Sequence, residues 1–373
     1  MANPKPQWVE DCVPQQILSM PSYVPGKPVA ELQRESGVTD AIKMASNENP
    51  LGPSPRALEA VRRHLSQVHV YPESSSPDLR GALAARYRVS PDSVIIGNGS
   101  DEIMQFAAHV FLRPGDEAII AESTFAMYRI CVESFGGIVI DAPAAGYYYD
   151  LAAMSRAVTS KTRLIFLAVP NNPTGTVVSG ADFRSFLGDL PEERLLVVLD
   201  EAYGDYVRDP DCLRGVEFLG SKPTVLVLKT FSKLYGLAGL RVGYGLSEEW
   251  LIELMNRIRP PFNVNSVAQV AAVAALEDAD HVRRTRVVNE EGLEYLVAEL
   301  ARLGVEVVPS QANFICFCLG SDARPVYEAL LRQGVIVRHL ASFGMSRCMR
   351  VTVGTREQNT RFVRALSHAL AKQ

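Results

Sequence analysis

From about Ser54 onward the chain alternates between two spacings of apolar residues. In "SPRALEAVRRHLSQV", "PDLRGALAARYRV", "SDEIMQFAAHVFL" and "FAMYRICVESFG" they recur three and four apart, which predicts helices. The third opens on Ser100-Asp101-Glu102, a run that predicts a helix cap. Between the helices stand short unbroken apolar runs: "SVIIGNG", "EAIIAES", "IVIDAP", "TRLIFLAVP", "RLLVVLDEAY" and "TVLVLKT". Such runs predict strands covered on both faces, so the fold class is α/β, with a mostly parallel sheet between helices. Sheets of this kind carry their sites at the C-terminal ends of their strands.

Residues 1–45 are proline-rich at both ends and read as an N-terminal arm with one short helix, "VAELQRESG". After "RPPFNVNSVAQVAAVAAL" the texture changes. A long charged helix over about 279–303, then "VEVVPSQANFICFCL", a helix in "RPVYEALLRQG", single strands in "VIVRHL" and "CMRVTVG", and a last helix predict a smaller α+β domain. The expected division is an arm over 1–45, a large domain over 46–275 and a small domain over 276–373.

Composition excludes several function classes. Of 373 residues, 47% are hydrophobic, enough for a large core, and 21% are charged. The net charge is −4 with no long basic run, so nothing marks a nucleic-acid partner. No run reaches the roughly 18 apolar residues of a membrane span. The first residues carry prolines and acids where a signal peptide needs an apolar core. Six cysteines in so long a chain are not a disulfide framework, and Cys316 and Cys318 in "NFICFC" read as two core thiols. Without a C-x-x-C pair or H-E-x-x-H, no metal is expected. The reducing cytosol is the expected compartment.

The chemistry gathers where strands end. "SVII" delivers "GNGSDE", "LIFLAV" delivers "PNNPTG", "RLLVVL" delivers "DEAY" and "TVLVL" delivers "KTFSK". Asp200 closes an apolar strand; a carboxylate buried there needs a cation or takes up a proton. Gly97 and Gly99 precede the free amides of Ser100, Asp101 and Glu102 at a helix start, which attracts phosphate. Glu102 stands where a dinucleotide fingerprint has its third glycine, and no Walker lysine follows. Lys229 reads as a solvated or salt-bridged lysine. Lys233 lies near Thr230, Ser232 and Arg241; the arginine disfavours a charged neighbour, and a lysine attacks a carbonyl only when its amine is uncharged or held as an imine. One ligand answers all of these groups: a phosphate for the amides with Ser232 and Arg241, an aldehyde for Lys233, a protonated ring nitrogen for Asp200 and a phenolate for Asn172 and Tyr203. That ligand is pyridoxal 5'-phosphate.

These motifs, with "SYVPGKP", "MASNENPLGPSP", "TFSKLYGLAGLRVGY", "RPPFNVNS", "ANFI" and "MRVTVGT" in order, resemble the fold-type I pyridoxal-phosphate aminotransferases. Within them, "YVPGKP" and "SNENPLGPSP" are similar to the histidinol-phosphate aminotransferases. The resemblance implies that Lys233 links covalently to the cofactor and later acts as general base. Asp200 faces the pyridine nitrogen, Asn172 and Tyr203 hold the phenolate, and Ser100, Asp101, Glu102, Thr230, Ser232 and Arg241 hold the phosphate. Phe125 stacks on the ring in place of the family's usual tyrosine. Tyr71 reaches the neighbouring subunit of a homodimer. Tyr23, Asn47, Asn313, Arg338 and Arg350 are the implied substrate residues. The implied reaction is ping-pong transamination of L-histidinol phosphate with 2-oxoglutarate, giving imidazole acetol phosphate and L-glutamate in histidine biosynthesis. An aromatic amino-acid aminotransferase and a phosphothreonine decarboxylase share the scaffold and remain as alternatives.

Overall fold

The computed structural model describes residues 6–371 except Pro21 and Val24. The first five residues of the expected arm, Val24 of "SYVPGKP" and residues 372–373 lie outside the described residues. The arm holds three helices rather than one: α1 (Gln7–Cys12), α2 (Gln15–Ser19) and α3 (Val29–Ser36). The first two are only 6 and 5 residues long, too short for a helical period to show in sequence. A short strand, β1 (Ile42–Lys43), ends the arm.

Helices α4 (Pro55–His64) and α5 (Pro77–Tyr87) lead into strand β2 (Val94–Gly97) and helix α6 (Ser100–Phe111). Then come β3 (Glu117–Ala121), α7 (Met127–Ser134) and β4 (Ile138–Ala142). A small hairpin of β5 (Ala144–Ala145) and β6 (Tyr148–Tyr149) precedes α8 (Leu151–Arg156). The remaining strands of the main sheet are β7 (Thr162–Ala168), β8 (Leu196–Asp200) after α9 (Gly180–Gly188), β9 (Thr224–Thr230) and β10 (Gly243–Leu246). Helices α10 (Glu249–Ile258) and α11 (Ser266–Leu276) follow.

The seven strands run in the order β2-β10-β9-β8-β7-β3-β4, and β10 alone is antiparallel to its neighbours. Alternate residues of each strand face opposite layers. Ile119, Ile165, Val197 and Val227 pack into one apolar cluster; Ile120, Phe166, Val198 and Leu226 pack into the other. Strand β10 is absent from the sequence reading because its glycines break the apolar run. A Cβ on Gly243 would stand 2.5 Å from the Ser100 nitrogen and 3.0 Å from the Lys229 oxygen, so the strand needs glycine to lie between β2 and β9.

The 24-residue helix α12 (Ala279–Arg302) leads to β11 (Glu306–Val307), β12 (Phe314–Cys318), α13 (Arg324–Arg332), β13 (Val335–Ile336), β14 (Arg338–His339), β15 (Cys348–Thr352) and α14 (Arg356–Leu370). The antiparallel sheet β11-β12-β15-β14 packs its apolar side on α12, α13 and α14. The single strand expected in "VIVRHL" is split, because its halves have different partners: β13 pairs with β1 of the arm and β14 with β15.

The expectation of two core thiols holds for Cys316 but not for Cys318. Cys318 and Cys348 face each other across β12 and β15 and form a disulfide, so Cys318 is not a thiol. Their 30-residue separation leaves no trace of this pairing in the sequence. Cys316 remains a thiol, and burial pushes it up to about 12. Among the described residues no helix is long and apolar enough to cross a membrane.

Candidate active site

Strands β2, β7, β8 and β9 end on the same side of the sheet, and the loops beyond them enclose a cavity of about 250 Å³. All the expected site residues line it except Tyr71, Glu102 and Asn313. The rule that parallel strands deliver their chemistry at their C-terminal ends is obeyed here.

Asp200 is the last residue of β8 and only 5% exposed. It forms no ion pair among the described residues. Its Oδ2 accepts a hydrogen bond from the Tyr128 hydroxyl at 2.8 Å, and Oδ1 accepts one from the Ala202 amide at 3.0 Å. Burial raises the carboxyl from 3.8 to about 6, against the pull of those two donors. Tyr128, which the sequence reading missed, is fully buried and stacks on Phe166 with centroids 5.0 Å apart. Its position three residues after Phe125, one helical turn away, is the signal that was available. Phe125 meets Tyr128 edge-on at 5.6 Å. Tyr128→Phe removes a donor to the charged carboxylate. We expect Asp200 to titrate about one to two pH units higher in this variant, as read from the pH dependence of cofactor-free stability.

The phosphate-type cradle lies at the start of α6. No side chain caps that helix: Gly99 is the N-cap residue with φ 82°, and Ser100 is already helical. The expected Ser-Asp-Glu cap is therefore replaced by a glycine turn that leaves the first amides without a capping side chain. Gly99 also lets Arg241 close on the loop, since a Cβ there would lie 2.6 Å from its Nη2. Arg241 Nη1 donates to Ser232 Oγ at 3.2 Å, and Nη2 stands 3.7 Å from Asp101. Burial raises the Asp101 carboxyl, offset by Arg241 and Lys233. Thr230 Oγ1 accepts from the Ser232 amide at 3.0 Å, fixing the turn between them.

The two lysines of "KTFSK" part company here. Lys229 points to the opposite face of the sheet, where Nζ lies 2.9 Å from Glu201 and 3.5 Å from Asp205. Lys233 enters the cavity. Its Nζ donates to the Ser46 carbonyl at 3.1 Å and lies 5.6 Å from the Tyr203 ring centre. Ser46 is a second neighbour that sequence reasoning did not single out.

The far wall is built around Arg350 of β15, which is 6% exposed. Nη1 donates to Asn172 Oδ1 and Nη2 to the Ala45 carbonyl at 2.7 Å, while the guanidinium lies 5.1 Å from the Phe314 ring centre. No carboxylate pairs with it among the described residues, and desolvation lowers its affinity for its proton. Asn47 adopts φ 57°, and its amide donates to the Tyr203 hydroxyl at 2.9 Å. Asn313 stays outside the cavity wall and acts one step back: its Nδ2 donates to the Asn47 carbonyl at 3.0 Å. Arg338 and Tyr23 close the mouth; Arg338 lies 5.8 Å from the Phe343 ring centre, and Tyr23 meets Phe125 at 6.4 Å.

Two expected cofactor residues stand elsewhere. Glu102 turns away from the cavity and accepts from the Asn98 amide at 2.7 Å and Asn263 Nδ2 at 2.6 Å, so its side chain braces the glycine loop. Tyr71 is 78% exposed and stacks on Phe262 at 4.8 Å.

The family model for "Aminotransferase class I and II" matches residues 39–366. Histidinol-phosphate aminotransferase of Moorella thermoacetica is 49% identical over 95% of this chain and 92% of its own length. That of Symbiobacterium thermophilum is 47% identical over 95% of this chain and 98% of its own. Among solved structures, histidinol-phosphate aminotransferase from Sinorhizobium meliloti in complex with pyridoxal-5'-phosphate superposes with TM-score 0.89 at 29% identity, covering 96% of this chain and 97% of that one. Matched from the end of its arm to its last helix, this chain belongs to the aminotransferase class I and II family.

Proposed function

We propose that the protein is a pyridoxal-phosphate-dependent transaminase that moves the amino group of L-histidinol phosphate to 2-oxoglutarate, yielding L-glutamate. One observation carries the reading. Around a single cavity, among the described residues, stand a buried carboxylate without an ion pair, Asp200, a buried guanidinium without a carboxylate, Arg350, and a lysine, Lys233, whose one hydrogen-bond partner is a carbonyl. Buried charges without counter-charges are costly unless a ligand supplies them. The names of the 49% and 47% identical relatives support the substrate.

The residues fit the cofactor. Ser100, Asp101, Thr230, Ser232 and Arg241 would hold its phosphate, Asp200 its ring nitrogen, and Asn172 with Tyr203 its phenolate oxygen, with Phe125 against the ring. When bound, pyridoxal phosphate supplies an electron sink for the charge left at the substrate Cα. Lys233 would anchor the cofactor, and its Nζ, once released, would take the proton from the substrate Cα as a general base. Burial raises the Asp200 carboxyl to about 6, and a cation beside it favours the charged form, so its site is matched to a protonated ring nitrogen. Arg350 binds the phosphate of one substrate and the carboxylate of the other, for which a bidentate guanidinium suits both. A neighbouring cavity of about 650 Å³, which shares Tyr23, Phe125, Arg338 and Phe343 with the first, gives room for a side chain such as imidazole.

Arg350→Ala should raise KM for both substrates about 100-fold, the worth of two charge-assisted hydrogen bonds, and Arg350→Lys should not restore it. A change confined to one substrate separates the two binding roles. The donor itself is tested by half-reaction. The cofactor-loaded enzyme is mixed with single amines, and loss of the cofactor's absorbance is followed. Histidinol phosphate is expected to react fastest; an inert histidinol phosphate beside a reactive phenylalanine overturns the assignment. We also propose a homodimer, in which exposed Tyr71, beside exposed Leu65, Val68 and Val70, meets the second subunit. Sedimentation at micromolar concentration tests it, and a monomer there ends it.

A further inference from the structure

A second cavity of about 600 Å³ lies on the opposite face of the main sheet. Glu201 and Lys229 form part of its lining; Lys229 is the strand neighbour of Thr230, and Glu201 directly follows Asp200 at the end of β8, both of which line the first cavity. Neighbours along a strand point to opposite faces, so the two cavities sit back to back. The lining carries five cations and three carboxylates.

The carboxylates are already taken. Glu201 and Asp205 hold Lys229 at 2.9 and 3.5 Å, and Glu201 also accepts from the Gly215 amide. Glu290 holds Arg208 at 3.0 Å. Three guanidiniums are left, from three separate segments. Arg86 stands near the end of α5, Arg214 in the loop before β9, and Arg286 on α12. Arg286 Nε donates to the Asp205 carbonyl at 2.9 Å, and none of the three forms an ion pair among the described residues. Three like charges around one concavity repel each other, and an anion between them turns that repulsion into attraction; guanidinium forks match carboxylate and phosphate oxygens.

We propose that this cavity is a binding site for a small polyanion carrying two or three carboxylate or phosphate groups, held by Arg86, Arg214 and Arg286 and separate from the transamination site. Its size lies in the range of ordinary small-ligand sites.

Calorimetry on the cofactor-loaded enzyme tests it, with citrate and inorganic pyrophosphate as probes that tell carboxylate from phosphate recognition. Saturable binding of one or both is expected. In the Arg86→Gln, Arg214→Gln double variant the affinity should fall at least tenfold, while kcat and KM stay as in the parent. Both arginines are exposed and form no ion pair among the described residues, so the variant should fold; Arg214→Gln alone gives a smaller loss by the same readout. No saturable binding by either probe at millimolar concentration overturns the proposal. So does binding that the double variant leaves unchanged, because that binding then belongs to the first cavity.

Discussion

Lys233→Ala is expected to lower turnover about 10⁴-fold, the upper range for loss of a positioned general base, and to leave the fold intact. Among the described residues the side chain makes one hydrogen bond, to the Ser46 carbonyl, and a distant contact with the Tyr203 ring, so little packing is lost. Borohydride treatment of the loaded parent should fix the cofactor to the peptide containing Lys233, and the variant should show no tagged peptide. Lys229→Ala should behave in the opposite way. Removing that lysine leaves buried Glu201 and half-buried Asp205 without their cation, a loss of about 3–5 kcal/mol in stability, with no direct loss of a reacting group. Denaturant melts and turnover measured on both variants separate the two roles. A tagged peptide carrying Lys229 instead would show that the wrong lysine has been placed in the reaction.

The second large effect belongs to Asp200. In the cofactor-free chain its carboxyl is raised from 3.8 to about 6, so between those values the folded chain keeps a proton that the unfolded chain has lost. Stability therefore falls as pH rises through this window and levels above it. The total is about 3 kcal/mol at 1.36 kcal/mol per pH unit. Asp200→Asn cannot titrate, so the stability difference between parent and variant should shift by most of that amount between pH 4 and pH 7, against the parent. With cofactor bound, the preference reverses: a cation beside Asp200 favours its charged form, and the variant loses the partner of the ring nitrogen. Turnover should fall about 10³-fold, equivalent to some 4 kcal/mol, in the range for breaking a buried charge pair. A parent whose cofactor-free stability stays flat across that window relative to Asp200→Asn would remove the basis for this account.

The six parallel strands and most of the helices were legible in the sequence, because burial on two faces demands unbroken apolar runs and burial on one face demands helical spacing. The ends of those strands were legible for the same reason: a polar residue that breaks an apolar run at the sheet edge is placed there by the backbone alone. Asp200, Lys233 and the glycine turn before Ser100 follow from that. What the sequence could not carry are relations between segments far apart in the chain. Arg350 reaches Asn172 across 178 residues, and Cys318 finds Cys348 only because β12 and β15 share a register. Tyr128 was not singled out, because only packing aims its hydroxyl at Asp200. Lys229 and Lys233 were already set apart in the sequence, but their partners were not: packing gives Lys229 to Glu201 and Asp205 and aims Lys233 at the Ser46 carbonyl. Local patterning thus set which elements form and which residues stand at their ends; the three-dimensional packing alone decided which charges meet a partner and which are left for a ligand, since electrostatic interaction depends on distance and burial rather than on order along the chain.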